Sequence, residues 1–226
     1  MKRRHFSVQL AAAAAGAPVA VSALGAALGL ASTIAVAQCA APVEGTDYVN
    51  VSPPLAVPPG KIDLIEFFWY GCPHCNAFEP ALEAWAAKLP ADVAFRRVPV
   101  AFREEPFVPH QKIYYALEAM NQVPQMHKKV FAAIHVERQR LDKPDDIAAF
   151  MGKNGIDSKK FLDAYNSFGV QTKAKQAAQL ADAFKIDGVP SLGIHGRYFT
   201  SGTLAGTPER SLLVTDYLVD KVRKNA

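Results

Sequence analysis

The sequence predicts an α/β fold in which a block of helices interrupts a domain built around a sheet. Three observations support this prediction. A short apolar strand, a helix and a second strand follow one another in residues 61–102, residues 104–168 contain only helix-like segments, and a hairpin and a helix complete the chain. A strand, helix and strand joined in this way form a βαβ unit with parallel strands. Residues 38–226, 189 residues in all, suit one domain or one domain that carries an insertion.

Residues 1–37 are predicted to be a cleaved export signal. They begin with the basic residues Lys2-Arg3-Arg4, continue in an apolar stretch rich in Ala and Gly, and end in Ala35-Val36-Ala37. This order of regions is typical of a signal peptide. An uncleaved membrane anchor is the alternative, which the low Leu and Phe content disfavours. Arg3-Arg4-His5-Phe6 matches a twin-arginine signal only in part, so the export route stays open, but either route leads to an oxidising compartment.

The charge balance argues against a nucleic-acid binder. Residues 1–37 hold three basic and no acidic residues, so their removal lowers the net charge from +4 to +1. Proteins that bind nucleic acids usually concentrate basic residues in a stripe or patch. Half of the residues are apolar, which is enough for a sizeable core.

The first part of the domain, residues 38–103, is predicted from local patterns. Residues 38–60 contain five prolines and should be extended. Lys61–Tyr70 is an apolar run that suits a strand buried on both faces. Pro73–Leu89 has helical spacing of its apolar residues, and Asp92–Phe102 is predicted to be the next strand.

Residues 104–168 are predicted to form an all-helical insertion, because no strand-like run interrupts them. Four segments have helical character: Gln111–Met120, Gln125–Gln139, Pro144–Lys153 and Ser158–Phe168. Asp157 or Ser158 is suited to cap the last of them. We expect the histidines of this block, His110 and His127 among them, to supply no catalytic atom.

Residues 169–226 are predicted to return the chain to the sheet. An amphipathic helix covers Val170–Phe184, and Val189–Ile194 and Arg197–Thr200 should form a hairpin. Thr207–Lys224 is a terminal helix whose apolar residues are expected to cover one sheet face. These residues are Leu212, Leu213, Tyr217, Leu218 and Val222.

Cys72 and Cys75 enclose Pro73 and His74 and allow three interpretations. A structural zinc site commonly needs four Cys or His ligands, and the remaining chain offers only Cys39 and scattered histidines. A structural disulfide across two residues closes too short a loop to constrain much chain. A C-x-x-C at the strand-to-helix junction of a βαβ unit is the thioredoxin-like redox signature.

The start of a helix favours a reactive thiolate at Cys72. Free backbone N–H groups and the positive end of the helix dipole stabilise an anion there and lower the pKa of the thiol. Pro73 suits the first helical position, where a missing N–H costs nothing. His74 is expected to donate a further hydrogen bond to the Cys72 sulfur or, when protonated, to stabilise the thiolate by its positive charge. Cys75, one turn later, should be less exposed and should close the disulfide.

These residues resemble those of DsbA-type thiol:disulfide interchange proteins. FFWYGCPHC is similar to that family's active-site segment, and a thioredoxin-like fold with an all-helical insertion matches its architecture. Gly188-Val189-Pro190-Ser191 resembles the loop that carries a cis-proline facing the cysteines. The resemblance implies that Pro190 is cis, that the Val189 backbone binds an extended substrate, and that Glu66 is a buried acid beneath the site. The alternative for Glu66 is exposure on an edge strand.

The predicted function is that of an exported protein dithiol oxidase. Its Cys72–Cys75 disulfide would pass to folding exported proteins through a mixed disulfide, without a metal or dissociable cofactor. The resemblance implies a periplasmic monomer that a DsbB-type membrane oxidase reoxidises. A disulfide reductase or isomerase of the same superfamily and a non-catalytic binding or chaperone domain are the alternatives. Cys39 is expected to be an incidental thiol rather than a site of lipid attachment.

Overall fold

The computed structural model of the chain describes residues 41–225. The predicted signal at residues 1–37 and Cys39 lie outside the described residues. Within residues 41–225, no helix has both the length and the apolar character needed to cross a membrane.

The sheet contains the predicted βαβ unit and the predicted hairpin. Its five strands have the spatial order β1-β5-β4-β2-β3. Their bounds are β1 Val49–Asn50, β2 Ile62–Phe68, β3 Val93–Pro99, β4 Ser191–Ile194 and β5 Tyr198–Ser201. Strand β2 pairs in parallel with β3 and antiparallel with β4, and β4 and β5 form the hairpin. All seven residues of β2 are buried, as its continuous apolar pattern predicts.

The lead-in contains one element that the sequence does not reveal. Strand β1 lies within the proline-rich residues 38–60 and pairs with the edge of β5. Two residues are too few to show a period of alternation, so only the contact with β5 identifies this strand.

Eight helices surround the sheet in the described part of the chain. Their bounds are α1 Pro73–Ala86, α2 Phe107–Ala119, α3 Val123–His135, α4 Pro144–Lys153, α5 Ser158–Tyr165, α6 Phe168–Ala183, α7 Gly202–Ala205 and α8 Pro208–Lys224. Helices α2 to α5 fall between β3 and α6, where the sequence predicts only helices. Asp157 caps α5 by accepting a hydrogen bond from the Lys160 N–H, and Ser167 caps α6 in the same way.

The core joins the sheet to the insertion on one side and to the terminal helix on the other. Ile65 and Phe67 of β2 belong to a large apolar cluster that extends into the insertion. Ile62 and Leu64 belong to a smaller cluster with α8. Each such side chain contributes about 1.5–3 kcal/mol when it is fully buried. The cores on both sides hold β2, and with it the start of α1, in place.

The prediction for the terminal helix is wrong at two positions. Leu213 is 63% exposed and Tyr217 is 36% exposed, so neither covers the sheet. Their spacing of four places them on one face, whereas the buried face carries Leu212, Leu218 and Val222. Leu212, Leu218 and Val222 therefore lie on the face of α8 that packs against the core, and Leu213 and Tyr217 lie on its outer face.

Candidate active site

The Cys72-Pro73-His74-Cys75 segment lies where α1 begins, directly after the carboxyl end of β2. Cys72 is the N-cap residue of α1, and Pro73 follows in the first turn. The backbone N–H of Cys75 donates to Cys72 Sγ across 3.4 Å. Gly71 makes the turn, because a Cβ there would lie 2.3 Å from the ring of Trp69. The cysteines thus lie at the strand-to-helix junction that the sequence predicts.

The two sulfur atoms have different environments. Cys72 is 6% exposed, whereas Cys75 is fully buried. A hydrogen bond from the Cys75 thiol lowers the pKa of Cys72 to about 6, and the backbone N–H groups of Cys75 and His74 act in the same direction against the effect of burial. Burial raises the pKa of Cys75 far above its ordinary value. The geometry therefore favours a thiolate at Cys72 and a protonated thiol at Cys75.

His74 and Pro73 lie on the exposed side of the junction. His74 lowers the pKa of Cys72 through its backbone N–H and, more weakly, through the charge of its ring. Within residues 41–225, its ring makes no hydrogen bond to the sulfur. The helix terminus therefore does more for the Cys72 thiolate than the histidine side chain.

The Val189–Pro190 loop lies beside the cysteines. The peptide bond is cis, as predicted. In its thiol form Cys72 donates a hydrogen bond to the Val189 carbonyl oxygen across 3.4 Å. A groove of about 660 Å³ is lined by residues that include Val189, Pro190, His74 and Phe199. The groove therefore borders two neighbours of Cys72, which are His74 and the Val189 backbone.

Glu66 is buried beneath the site, on a central strand rather than an edge strand. It is 1% exposed and lies opposite Arg97 in the parallel register of β2 and β3. Arg97 Nε donates to Glu66 Oε2 across 3.0 Å, and the same guanidinium donates to Glu79 of α1. Burial raises the pKa of Glu66 to about 8; Arg97 opposes this shift and Glu79 adds to it.

Arg97 and Glu79 are site residues that the sequence analysis missed. Arg97 follows Arg96 on a strand, and Glu79 lies in a helix, so each has the pattern of a solvent-exposed charge. Both are instead largely buried, with 16% and 5% of their side chains exposed. The signal that identifies Arg97 is its register opposite Glu66, which requires the strand pairing to be known.

The chain is similar in sequence and in structure to DsbA proteins. The sequence model of the DSBA-like thioredoxin domain family matches residues 108–212. The thiol:disulfide interchange protein DsbA of Burkholderia cepacia is 44% identical over 198 residues, which are 87% of this chain and 93% of that protein. The DsbA of Pseudomonas aeruginosa is 43% identical over 183 residues, which are 80% and 86% of the two chains. Its crystal structure superimposes with a TM-score of 0.79 at 42% identity and covers 81% of this chain and 96% of that chain.

Proposed function

The chain belongs to the DsbA family of thiol:disulfide interchange proteins, and on that premise we propose that Cys72 and Cys75 are its redox-active pair. The protein is a thiol:disulfide oxidoreductase. In the proposed direction of reaction it oxidises pairs of thiols in exported proteins. The observation that supports this direction most strongly is the position of Cys72, whose thiolate is stabilised at the start of α1 when the pair is reduced.

The reaction proceeds by two exchanges of sulfur partners. A thiolate of the substrate attacks Cys72 Sγ of the disulfide, the Cys72–Cys75 bond breaks, and Cys75 leaves as a thiolate that takes up a proton. A second substrate thiolate then attacks the substrate sulfur of the mixed disulfide. Cys72 leaves as a thiolate, and the substrate departs with a new disulfide. Two electrons pass from the substrate thiols to the cysteine pair.

Two further site residues are suited to bind the substrate and to supply a proton. The Val189 backbone lies beside Cys72 and suits an extended substrate that pairs with it as an added strand. Glu66 carries a proton at neutral pH, since burial raises its pKa to about 8. When Glu66 is ionised, its charge disfavours ionisation of Cys75. Glu66 is therefore suited to supply the proton that Cys75 needs when it leaves.

The proposed setting is the periplasm, which the protein would reach through its N-terminal signal. There it would act as a monomer on unfolded or folding exported proteins with reduced cysteines. A DsbB-type membrane oxidase would restore the Cys72–Cys75 disulfide. The predicted signal and the family of the chain support this setting.

Reduction of insulin by dithiothreitol tests whether the chain is a catalyst or only a binding domain. The protein with both cysteines is expected to accelerate the precipitation of insulin, because disulfide exchange through Cys72 opens a faster route. A double variant, Cys72→Ser with Cys75→Ser, is expected to show only the uncatalysed rate. Equal rates for the two proteins would favour the binding or chaperone function.

The reduced protein is expected to be more stable than the oxidised protein at neutral pH. Folding lowers the pKa of Cys72 from that of a free cysteine to about 6, so the thiolate stabilises the reduced fold. The disulfide has no such charge and constrains little chain. Between the folded-state pKa and the pKa of a free cysteine, each pH unit adds about 1.4 kcal/mol to the free energy of unfolding of the reduced form. The reduced form should therefore be about 1–2 kcal/mol more stable than the oxidised form at pH 7.

Chemical denaturation of both redox forms at pH 7 and pH 5 measures this gap. A lowered folded-state pKa means that the stabilisation is complete only above the pKa of a free cysteine, near 8.5, and disappears as the pH falls below about 6. The gap should therefore shrink at pH 5. A variant with His74→Ser should keep most of the gap. A reduced form that is no more stable than the oxidised form at pH 7 would favour a reductase.

A further inference from the structure

A buried histidine of the insertion reaches the charged cluster beneath the cysteines. His127 lies on α3 with 5% of its side chain exposed, and its Nε2 is 3.5 Å from Glu79 Oε2. Its Nδ1 is 2.8 Å from the hydroxyl oxygen of Tyr70. Glu79 shares the guanidinium of Arg97 with Glu66. Helix α3 thus becomes the fourth element, after β2, β3 and α1, to contribute to this cluster.

The two contacts of His127 select one form of its ring. Burial raises the pKa of Tyr70, so its hydroxyl keeps its proton. Within residues 41–225, Nδ1 of His127 is the one hydrogen-bond partner of this buried hydroxyl, so the O–H group donates to Nδ1 rather than remaining unpaired. Burial also lowers the pKa of His127, so the ring is neutral at pH 7. A neutral ring that accepts at Nδ1 carries its proton on Nε2. The Nε2–H group therefore faces Glu79 Oε2.

The cluster has more carboxylates than cations. Within residues 41–225, Arg97 is the one cation that hydrogen-bonds to Glu66 or Glu79. Two ionised carboxylates beside one guanidinium would leave an uncompensated buried charge, so the pair is expected to retain one proton. Glu66 Oε1, Glu79 Oε2 and His127 Nε2 are all buried without a hydrogen-bond partner among these residues. Glu79 Oε2 and His127 Nε2 face each other across 3.5 Å, whereas Glu66 Oε1 has no such contact with the ring.

We propose that His127 is a positioning residue that keeps Glu79 ionised and thereby directs the shared proton to Glu66. The inference rests on the proposed redox role of Cys72 and Cys75. The charges of Glu66 and Cys72 repel each other, so a proton on Glu66 favours the Cys72 thiolate. The same proton is available to Cys75 when it leaves.

The surroundings of His127 agree with this assignment. Glu79 and Glu83 of α1 face the ring with negative charge, Arg97 of β3 faces it with positive charge, and Lys128 of its own helix is paired with Glu83. In the described part of the chain, the hydroxyl of Tyr70 and the ring of Tyr114, 6.0 Å away, also lie against the ring of His127. Burial raises the pKa of both tyrosines, so they stay neutral. Glu79 is thus the carboxylate that the Nε2–H group faces, at 3.5 Å.

The substitution His127→Leu tests the proposal through the titration of Cys72, followed by thiolate absorbance. Without the Nε2–H group, the shared proton should move to Glu79 and leave a charge on Glu66. This charge should raise the midpoint of Cys72 by about one pH unit and shift the equilibrium with glutathione about fivefold towards the disulfide at pH 7. His127→Gln should retain the wild-type values, because its amide can donate to Glu79 in place of Nε2.

His110→Leu is the matched control. His110 is also a buried histidine of the insertion, but it bonds to the Arg140 carbonyl oxygen and not to Glu79. Its loss can lower stability but should leave the Cys72 midpoint unchanged. A wild-type midpoint in His127→Leu, or equal shifts in the leucine and glutamine variants of His127, would overturn the proposal.

A carbon-13 NMR titration of the glutamate carboxyl groups in the unsubstituted protein tests the proton's position directly. Glu66 should be protonated and Glu79 ionised at pH 7, and the reverse distribution would overturn the proposal even if His127→Leu did not fold. This readout does not depend on disulfide exchange. If the protein failed to catalyse insulin reduction but Glu66 was protonated, the redox function would be rejected and the assignment of the proton to Glu66 would stand.

Discussion

The substitution Cys72→Ser is expected to abolish disulfide exchange, whereas Cys75→Ser is expected to accumulate mixed disulfides. Cys72 is the sulfur at the start of α1, with its pKa lowered to about 6, whereas Cys75 is fully buried. Loss of the nucleophile of a covalent catalyst typically costs about three orders of magnitude or more in rate. Loss of Cys75 leaves the nucleophile in place but removes the thiol that resolves the intermediate.

Non-reducing electrophoresis after incubation with a disulfide-containing protein measures this difference. The Cys75→Ser variant should form a covalent adduct that dithiothreitol releases, and the Cys72→Ser variant should form almost none. The double serine variant is the control for non-covalent association. If the adduct formed mainly through Cys75, the assignment of the two roles would be wrong.

The substitution Arg97→Met is expected to lower the free energy of unfolding by about 3–5 kcal/mol at neutral pH, the usual cost of removing one partner from a buried ion pair. Arg97 hydrogen-bonds to both Glu66 and Glu79, and each carboxylate is at least 95% buried. Without the guanidinium, Glu79 must also take up a proton if both carboxyl groups are to remain inside the fold. Their stabilising partner is lost while their desolvation remains.

The pH dependence of this cost has a definite sign. A buried carboxyl with a raised folded-state pKa binds more protons in the folded state, so stability falls as the pH rises above the pKa of a free glutamate, near 4.3. Glu66 already shows this direction, with its pKa raised to about 8. The deficit of Arg97→Met should therefore grow between pH 4 and pH 8.

Urea denaturation of Arg97→Met and Arg96→Met at several pH values measures the deficit. Arg96 is the adjacent arginine on β3, but it is 44% exposed and pairs with Asp63. Partial exposure screens that pair, so Arg96→Met should cost about 1 kcal/mol. Equal losses in the two variants across the pH range would show that the buried cluster does not depend on Arg97.

The position of the candidate redox pair could be predicted from the sequence because its signals are local. The C-x-x-C segment, the apolar strand before it and the helix after it are contiguous, and together they place Cys72 at a helix N-terminus. The family resemblance predicts the cis peptide bond at Pro190. The residues next to Pro190 in the sequence do not by themselves indicate that this loop lies beside Cys72. Helix caps such as Asp157 are also local, because each satisfies a backbone N–H within the same turn.

The charges that surround Glu66 beneath the cysteines follow only from the tertiary structure. The family resemblance implies a buried Glu66, whereas Glu79, Arg97 and His127 come from three other elements and have sequence contexts that also suit exposed positions. Periodicity shows which face of a helix is apolar, but it does not show which polar group of another element lies opposite. Strand register brings Arg97 to Glu66, and the packing of α1 and α3 brings Glu79 and His127 to them. The candidate cysteine pair and the elements that carry it are therefore predictable from the sequence alone, whereas the protonation of the groups around the pair depends on contacts between residues far apart in the chain.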